Sequence, residues 1–187
     1  MSVIDNLKEA LNGESNAKRK YELFAERAME ENHPHIAHVF KAVAFAESIH
    51  IKNHLRALNV ITNTESDLSS IVKINEEELQ GKIRDTKLNL MDALEGEIYE
   101  TKKMYKSFEK TARKEKQDVA ELSFNLARQA EKVHANIFSD LIKSLEKNRE
   151  IESQEIYVCT ICGNVEFKAP PAQCPVCDHS EKFFEKI

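Results

Sequence analysis

The sequence lacks tryptophan and has only four glycines and four prolines among its 187 residues. Because glycine and proline interrupt helices, their scarcity favours a mainly α protein. No run approaches the roughly 20 consecutive apolar residues that a membrane-spanning helix needs. The first residues, Met1–Asp5, lack the basic and then apolar pattern of a secretory signal, and a net charge of −5 argues against nucleic acid as a partner. We therefore expect a cytoplasmic protein with no membrane partner.

Cysteine is absent from the chain before Cys159, and all four cysteines lie with three of the four prolines between Ile156 and Ile187. They form two Cys-x-x-Cys pairs, Cys159 with Cys162 and Cys174 with Cys177. Four thiolates in this spacing select zinc or a single iron, whereas two disulfides are the alternative that a cytoplasmic location disfavours. About thirty residues bury too little surface to fold without such a metal. We predict a metal domain over residues 155–187, a linker over 149–154 and a helical domain over 1–148.

A short segment, Ala46-Glu47-Ser48-Ile49-His50, recurs in similar form as Ala130-Glu131-Lys132-Val133-His134. Residues at i and i+3 share one face of a helix, so each Glu-x-x-His presents a carboxylate and an imidazole side by side, as a metal site requires. Both pairs lie on an apolar stripe that should face the core. An uncompensated carboxylate there costs on the order of several kcal/mol, so we expect a cation beside each pair.

The repeat extends to the helices that precede these pairs, since Gly13-Glu14 has an equivalent in Gly96-Glu97. The offset is 83 residues from Glu14 to Glu97 and 84 from Glu47 to Glu131. Two equivalent hairpins, each with a Glu on one helix and Glu-x-x-His on the next, supply the ligand set of ferritin-like di-iron carboxylate bundles. Glu100, at i+3 from Glu97, adds a carboxylate. The predicted ligands are Glu14, Glu47, His50, Glu97, Glu100, Glu131 and His134.

Hydrophobic periodicity predicts four long helices, which run from Ser2 or Asp5 to residue 31, over 34–59, over 86–114 and over 118–148. Thr86 and Asp118 are the predicted caps of the third and fourth helices. The polar connection Val60–Asp85 is too long for an up-down bundle and fits a single crossover, in which Asn75–Glu78 resembles a capped helical start. The predicted fold class is mainly α, a ferritin-like four-helix bundle with one long crossover plus a small C-terminal β metal domain.

Further polar residues lie near the predicted site. His54, one turn beyond His50 on the same stripe, is either an additional ligand or a hydrogen-bonded core histidine, of which the second is favoured. Tyr21 and Tyr105 occupy repeated positions, where they either pack or hydrogen-bond to ligand carboxylates. Three more histidines lie about three turns before the site, and a role for them as a surface metal or proton site is disfavoured. They are His33, His35 and His38.

With both sites in view, the chain resembles the rubrerythrin family over nearly its full length. The resemblance rests on Gly13-Glu14-Ser15-Asn16-Ala17, Glu47-x-x-His50, Gly96-Glu97-Ile98-Tyr99-Glu100, Glu131-x-x-His134 and Cys159-x-x-Cys162 with Cys174-Pro-x-Cys177. It implies a non-haem di-iron centre in the bundle, a rubredoxin-like domain with one iron, and reduction of hydrogen peroxide to water in an anaerobe or microaerophile. The connection Val60–Asp85 differs, because it is longer than we expect for the family.

The resemblance also implies roles for individual residues, and the seven predicted ligands are then also the catalytic residues. Glu47 and Glu131 bridge or chelate the two irons, and His50 and His134 supply nitrogen ligands. The other three carboxylates, Glu14, Glu97 and Glu100, bind terminally or bridge. The tetrathiolate iron receives electrons from an external donor, either rubredoxin or an NAD(P)H-linked reductase, and passes them on singly.

Two other functions stay open at the level of sequence. Ferritins use the same bundle to oxidise and store ferrous iron, although storage does not need an electron-transfer domain. Zinc ribbons share the two Cys-x-x-Cys pairs, so the C-terminal domain is alternatively a zinc-holding module that binds partner proteins.

The position of the C-terminal domain is predicted from lengths. The fourth helix carries the chain about 20 Å beyond His134 before the linker begins, so the domain is expected to leave its own bundle. A head-to-tail homodimer closed by a two-fold axis would place each tetrathiolate iron beside the di-iron centre of the other chain. The family resemblance points the same way.

Overall fold

Four long helices form the bundle of the computed structural model, which describes residues 1–147, 149 and 152–187. They are α1 (Val3–Glu30), α2 (Pro34–Thr62), a third helix composed of α5 (Thr86–Tyr99), a π-helical turn (Glu100–Met104) and α6 (Tyr105–Lys114), and finally α7 (Asp118–Glu146). Residues 148, 150 and 151, where we predicted the end of the last helix and part of the linker, lie outside the described residues. No helix in the described ranges is long and apolar enough to cross a membrane.

Two helices begin with a different capping residue from the one predicted. The cap of α5 is Asp85 and not Thr86, because the Asp85 side chain accepts a hydrogen bond at 2.9 Å from the backbone N–H three residues on. Thr86 instead donates from its backbone and its hydroxyl to Glu31, at 2.8 and 2.7 Å, which ties α5 to the end of α1. Asp118 is the first residue of α7, and Gln117 precedes it without a side-chain cap.

The long connection between the hairpins is held against α1. It contains two short helices, α3 (Leu68–Ile71) and α4 (Glu76–Gly81). The start of α4 at Asn75 confirms the prediction, whereas α3 was not predicted. Between them, the N–H of Lys73 donates to Asn12 Oδ1 at 2.8 Å, and its carbonyl accepts from Asn16 Nδ2 at 3.1 Å. Both peptide groups of Lys73 are thus fixed by side chains that flank Glu14.

The π-helical turn explains a small irregularity of the internal repeat. Glu14 and Glu97 are 83 residues apart, but Tyr21 and Tyr105 are 84 apart, so the third helix has one residue more than α1 between its equivalent positions. A π-helical turn accommodates one extra residue without ending a helix, and such turns are frequent at functional sites. The extra residue lies in Glu100–Met104, directly after the acidic residues of the site.

Buried apolar side chains form two clusters that the predicted metal ligands separate along each long helix. One cluster includes Phe24, Phe40 and Phe138, and the other includes Leu11, Phe108 and Phe124. In α1, for example, Glu14 lies between Leu11 of the second cluster and Tyr21 of the first. The acidic residues therefore form a polar layer across the middle of the bundle.

The C-terminal domain is a small antiparallel sheet. Its strands are β1 (Ile156–Cys159), β2 (Val165–Phe167) and β3 (Phe184–Lys186), and they lie in the order β2-β1-β3. Ile156, Val158 and Val165 are at most 2% exposed and join the apolar cluster of the bundle that contains Phe40. The two domains therefore share one hydrophobic core.

Polar contacts extend this docking along most of α2. His38 Nε2 hydrogen-bonds to the carbonyl of Ile187 at 2.8 Å, and Asn53 Nδ2 donates to the carbonyl of Ile161 at 2.9 Å. The ring of His35, further towards the start of the helix, lies 6.1 Å from that of Phe167. Among the described residues the early histidines of α2 form no metal cluster, and two of them instead contact the C-terminal domain.

The expectation that the C-terminal domain leaves its own bundle is therefore wrong for the single chain. Helix length fixed only how far α7 carries the chain from the metal site. The apolar face of β1 and β2 has its complement on α2 of the same chain, and burying both faces together stabilises the folded-back arrangement.

Candidate metal centre

Six of the seven predicted ligands meet in the polar layer of the bundle. One group consists of Glu14, Glu47, His50 and Glu131, and the other consists of Glu47, Glu97, Glu131 and His134. Within each group, one ligand atom of every residue lies within 4.8 Å of the others. All six side chains are at most 1% exposed. Because Glu47 and Glu131 belong to both groups, the geometry offers two adjacent cation positions that share two carboxylates.

Glu100 lies outside both groups, as the first residue of the π-helical turn. It is partly exposed and lines a cavity of about 520 Å³. The cavity lies between α1, the long connection and the third helix, and its other walls include Asn12, Gly13, Asn16, Lys20 and Lys73. Among the seven predicted ligands, Glu100 alone is accessible from this side.

The buried carboxylates fit a pair of metal ions. Four of their oxygens accept no hydrogen bond from the described residues, namely Glu14 Oε2, Glu47 Oε1, Glu97 Oε2 and Glu131 Oε1. His50 Nδ1 lies close to the last of these but directs its hydrogen at Glu47. A buried carboxylate oxygen without a donor is strongly destabilising unless a cation satisfies it. Carboxylates with two imidazoles are the donor set that redox-active iron takes in bundles of this type.

The pKa values of the acids show how unfavourable the site is without metal. Burial and the neighbouring Glu47 raise the pKa of Glu14 well above its ordinary value of 4.5. Burial and adjacent carboxylates likewise raise the pKa of Glu131, and partial burial with the neighbouring acids raises the pKa of Glu100. Burial acts on Glu97 too, but the adjacent His134 and Glu131 and the hydrogen bond from Tyr21 outweigh it and lower its pKa. Two cations would favour the ionised form of every acid.

Both ligand histidines direct Nδ1 at the carboxylates. His50 Nδ1 lies 2.9 Å from Glu47 Oε2 and 2.7 Å from Glu131 Oε1, and His134 Nδ1 lies 2.6 Å from Glu131 Oε2. Burial alone would lower the pKa of His50, but the hydrogen bond to Glu47 and the surrounding charges raise it to about 9. The pKa of His134 is raised for the same reasons. A metal ion would replace the proton on each Nδ1.

The other nitrogen of each histidine contacts the C-terminal domain. His50 Nε2 donates to the carbonyl of Cys162 at 3.0 Å, and His134 Nε2 donates to the carbonyl of Gly163 at 3.0 Å. A hydrogen bond of this kind fixes the tautomer and ring orientation of a metal-ligating histidine. The sequence shows Cys162-Gly163 plainly but has no signal for what their carbonyls contact.

Gly163 is required by this contact for two reasons. Its φ of +82° is a conformation that residues with a side chain rarely adopt. A Cβ atom at this position would lie 2.5 Å from His50 Nε2 and 3.2 Å from the carbonyl oxygen of Ala46. The turn Cys159–Gly163 is here called the cysteine knuckle. Only a residue without a side chain at position 163 allows this knuckle to approach α2 so closely.

The two repeated tyrosines cross between the hairpins to reach ligand carboxylates. Tyr21 donates its hydroxyl hydrogen to Glu97 Oε1 at 2.5 Å, and Tyr105 donates to Glu14 Oε1. Each tyrosine thus orients the acid of the opposite hairpin, which decides between the two roles that the sequence left open.

His54 is a hydrogen-bonded core histidine and not a member of either ligand group. Its Nδ1 lies 2.7 Å from Ser123 Oγ, and its Nε2 lies 2.9 Å from the Tyr105 hydroxyl. Burial lowers the pKa of His54 to about 3, so the ring is neutral. The favoured interpretation of this residue is confirmed.

The four cysteines form the second site. Cys159, Cys162, Cys174 and Cys177 are all free thiols with their sulfur atoms within 4.8 Å of one another, which excludes the two-disulfide alternative. Cys159 Sγ lies 3.6 Å from Cys177 Sγ, and Cys162 Sγ lies 3.6 Å from Cys174 Sγ. These separations are close to the edge of a tetrahedron of thiolates around one metal ion. Cys177 alone of the four is partly exposed.

Fold and sites together define a class of protein, a ferritin-like di-iron carboxylate bundle joined to a rubredoxin-like tetrathiolate domain. The profile of the rubrerythrin family matches residues 5–156, and that of the rubrerythrin rubredoxin-like domain matches residues 157–185. The chain belongs to the rubrerythrin family, whose members are oxidoreductases. The predicted family, fold class and pair of metal sites are thereby confirmed.

Similar proteins match nearly the whole chain. Rubrerythrin-2 of Clostridium acetobutylicum is 34% identical and covers 97% of this chain and 94% of its own length. Nigerythrin of Nitratidesulfovibrio vulgaris is 31% identical, with 94% of this chain and 82% of its own covered. A structure of nigerythrin in a partially reduced state superimposes with a TM-score of 0.88 at 29% identity, covering 100% of this chain and 87% of that one.

We expect the metal-free protein to lose stability as the pH rises from 6.5 to about 9. His50 has an ordinary pKa of 6.5 and a folded pKa of about 9, so in this window the folded chain holds a proton that the unfolded chain has released. The raised pKa values of His134 and Glu131 act in the same direction. Neutral His54 contributes nothing.

The measurement is the melting temperature of chelated and of anaerobically Fe²⁺-loaded protein at pH 6.5 and pH 9. Metal replaces the protons in the loaded protein, so its melting temperature should change less than that of the chelated protein. Equal slopes for the two preparations would show that these histidines do not face a metal.

Gly163→Ala is expected to weaken the docking of the C-terminal domain. The positive φ alone costs about 1–2 kcal/mol for alanine, and the methyl group would in addition meet His50 and Ala46. Limited proteolysis should then release the domain faster from the variant, while the absorbance of the tetrathiolate iron is unchanged. The matched control is Gly81→Ala, where a Cβ atom meets nothing within 4 Å. Equal proteolysis of both variants would contradict the docking contact.

Proposed function

We propose that this protein reduces hydrogen peroxide to water at the di-iron centre, with electrons supplied through the tetrathiolate iron, as a defence against oxidative stress. The observation that supports this proposal best is that His50 and His134 hydrogen-bond directly to the backbone of the cysteine knuckle. An iron-storage protein does not need such a contact. Zinc in the tetrathiolate site could not pass electrons through it, because zinc has no redox chemistry. The free thiols also favour a reducing, cytoplasmic environment.

The ligand roles follow from the two overlapping groups. We infer that Glu47 and Glu131 would be shared by the two irons, because each belongs to both groups. The remaining members complete the two positions, Glu14 with His50 and Glu97 with His134. Glu100 lies apart and partly exposed, so it would be available as an additional carboxylate ligand for an iron of higher charge.

The chemistry requires two electrons and two protons for each peroxide, so that the O–O bond breaks and two water molecules form. Two ferrous ions bound at this site would supply both electrons together. The chain itself holds six ligands away from bulk water, and the hydroxyls of Tyr21 and Tyr105 keep two of the carboxylates in place. Structures of nigerythrin in partially reduced, mixed-valence and fully ferrous states support iron redox chemistry in this fold.

The cavity of about 520 Å³ is the best-supported route for peroxide to the centre. It reaches Glu100, and its walls carry asparagine and lysine side chains that can hydrogen-bond to a small polar molecule. We infer that peroxide enters between α1 and the long connection, which would give the connection Val60–Asp85 a functional role.

The proposed path for electrons from the tetrathiolate iron to the di-iron centre follows the covalent bonds of one residue and one hydrogen bond. It leads from the sulfur of Cys162 through the backbone of the same residue to its carbonyl, and across the hydrogen bond to the ring of His50. Because Cys177 is the exposed thiolate, we infer that the external donor, a rubredoxin or an NAD(P)H-linked reductase, docks on that side.

The test of the proposal is anaerobic peroxide consumption by iron-loaded protein with a rubredoxin and its NADH-linked reductase as donor. Glu47→Ala should lower the rate at least 100-fold, because it removes a ligand of both irons. The visible spectrum of the tetrathiolate iron should be retained, since that site lies in another domain. The control is Glu95→Ala, an exposed acid near Glu97. Wild-type protein that oxidised and retained iron without consuming peroxide would favour storage instead.

We also propose a head-to-tail homodimer in which two chains exchange their C-terminal domains. The single chain makes the docking contacts within itself, and the same contacts arise between chains if the domain of each lies on the bundle of the other. The helix α7 supports exchange, since it extends 12 residues beyond His134 to Glu146, or about 18 Å away from the centre.

Mixing two inactive variants distinguishes exchange from transfer within one chain. Cys159→Ala removes the tetrathiolate iron and Glu47→Ala disables the di-iron centre. With exchange, unfolding and refolding the mixture should restore up to about a quarter of the wild-type rate, since half the dimers are hybrids with one competent pair of sites each. No recovery would show that electrons stay within one chain.

A further inference from the structure

The two halves of the metal centre differ at one pair of equivalent positions. An offset of 84 residues relates Tyr21 to Tyr105 and also His54 to Phe138. The ring of Tyr21 lies 5.6 Å from that of Phe138, and the ring of Tyr105 lies 5.6 Å from that of His54. The repeat has therefore kept the packing of the two tyrosines but placed a polar ring beside only one of them.

The residue that hydrogen-bonds to His54 Nδ1 also has an apolar equivalent in the other half of the centre. Ser123 Oγ lies 2.7 Å from His54 Nδ1, and the residue 84 positions earlier is Val39, which has no polar group. A buried chain of hydrogen bonds thus connects Ser123, His54, Tyr105 and Glu14 in one half of the centre. In the part of the chain that the structure describes, the equivalent series in the other half consists of one hydrogen bond, from Tyr21 to Glu97.

The number of hydrogens that each group can donate decides which residue is donor and which is acceptor in these three hydrogen bonds. Glu14 as a metal ligand is ionised and can only accept, so Tyr105 must donate its one hydroxyl hydrogen to Glu14. The Tyr105 oxygen can then only accept from His54, which places the proton of the neutral ring on Nε2. Nδ1 is left to accept from the hydroxyl of Ser123. All three hydrogen bonds between these residues are made in this direction, and the opposite direction would leave Glu14 Oε1 without its donor.

We propose that His54 is a positioning residue, which locks Tyr105 as a hydrogen-bond donor to Glu14 and so makes the two metal positions of the centre unequal. The proposal rests on the inferred role of Glu14 as a ligand. A donor whose own oxygen accepts a hydrogen bond is a stronger donor, and a partner that fixes a ligand carboxylate typically contributes about 10–100-fold to metal affinity. Tyr21, beside Phe138, has no such reinforcement among the described residues.

The experiment is a double-mutant cycle read by metal affinity. The full-length protein keeps its tetrathiolate iron, its bundle site is emptied with a chelator, and Mn²⁺ is titrated in and followed by electron paramagnetic resonance. Mn²⁺ is suitable because it binds carboxylate and imidazole and competes poorly for thiolates. Because no peroxide is involved, failure of the peroxidase proposal would leave the result intact.

His54→Phe, which copies the residue of the other half, should weaken the binding of one of two Mn²⁺ ions roughly 10-fold. Tyr105→Phe should do so by at least a similar factor, and the two changes together should cost no more than Tyr105→Phe alone, because His54 acts on Glu14 only through the hydrogen bond that Tyr105→Phe removes. The effects of His54→Phe and Tyr21→Phe should instead multiply, since these residues serve different halves.

Rescue separates positioning from simple packing. His54→Gln should keep Mn²⁺ affinity within about twofold of wild type, because an amide can accept from Ser123 and donate to Tyr105 as the imidazole does. If His54→Gln bound as weakly as His54→Phe, or if His54→Phe and Tyr105→Phe multiplied, His54 would be a packing residue and the proposal would be wrong. A wild-type chain that bound only one Mn²⁺ would overturn it together with the ligand role of Glu14.

Discussion

The structure depends on a layer of buried charge that only cations can satisfy. Six ionisable side chains lie in the middle of the bundle with at most 1% exposure, and four of their carboxylate oxygens accept no hydrogen bond from the described residues. In an apolar interior such groups stay ionised only beside positive charge. Because the layer separates the two hydrophobic clusters along every long helix, the packing on either side is coupled to what the layer binds. Metal binding and bundle stability are therefore linked quantities in this protein.

An internal repeat builds the centre, and its irregularities carry the specific chemistry. The two hairpins supply equivalent acids, Glu-x-x-His pairs and tyrosines, and each tyrosine crosses to the acid of the other hairpin. The symmetry is broken by the extra residue of the π-helical turn, which begins at Glu100, and by His54 opposite Phe138.

The C-terminal domain is part of the metal centre and not merely attached to it. Its knuckle supplies the carbonyls that accept from both ligand histidines, so the orientation of each imidazole depends on docking. The close approach is possible because Gly163 has no side chain and adopts a positive φ. The same contact that orients the histidines is also a covalent and hydrogen-bonded connection between the two metal sites.

The sequence by itself determined the helices, the two metal-ligand sets and the family. Metal chemistry restricts ligand types, and the helical period restricts their spacing, so Glu47-x-x-His50 and its repeat share a face whatever surrounds them. Tertiary structure alone decided that Glu100 lies apart from the other ligands, that His54 joins Ser123 to Tyr105, and where the C-terminal domain docks. The contact of His50 with Cys162 spans 112 positions of the chain. Local patterns carry no information about such pairs, because complementary surfaces that form only in the folded chain decide which distant residues meet.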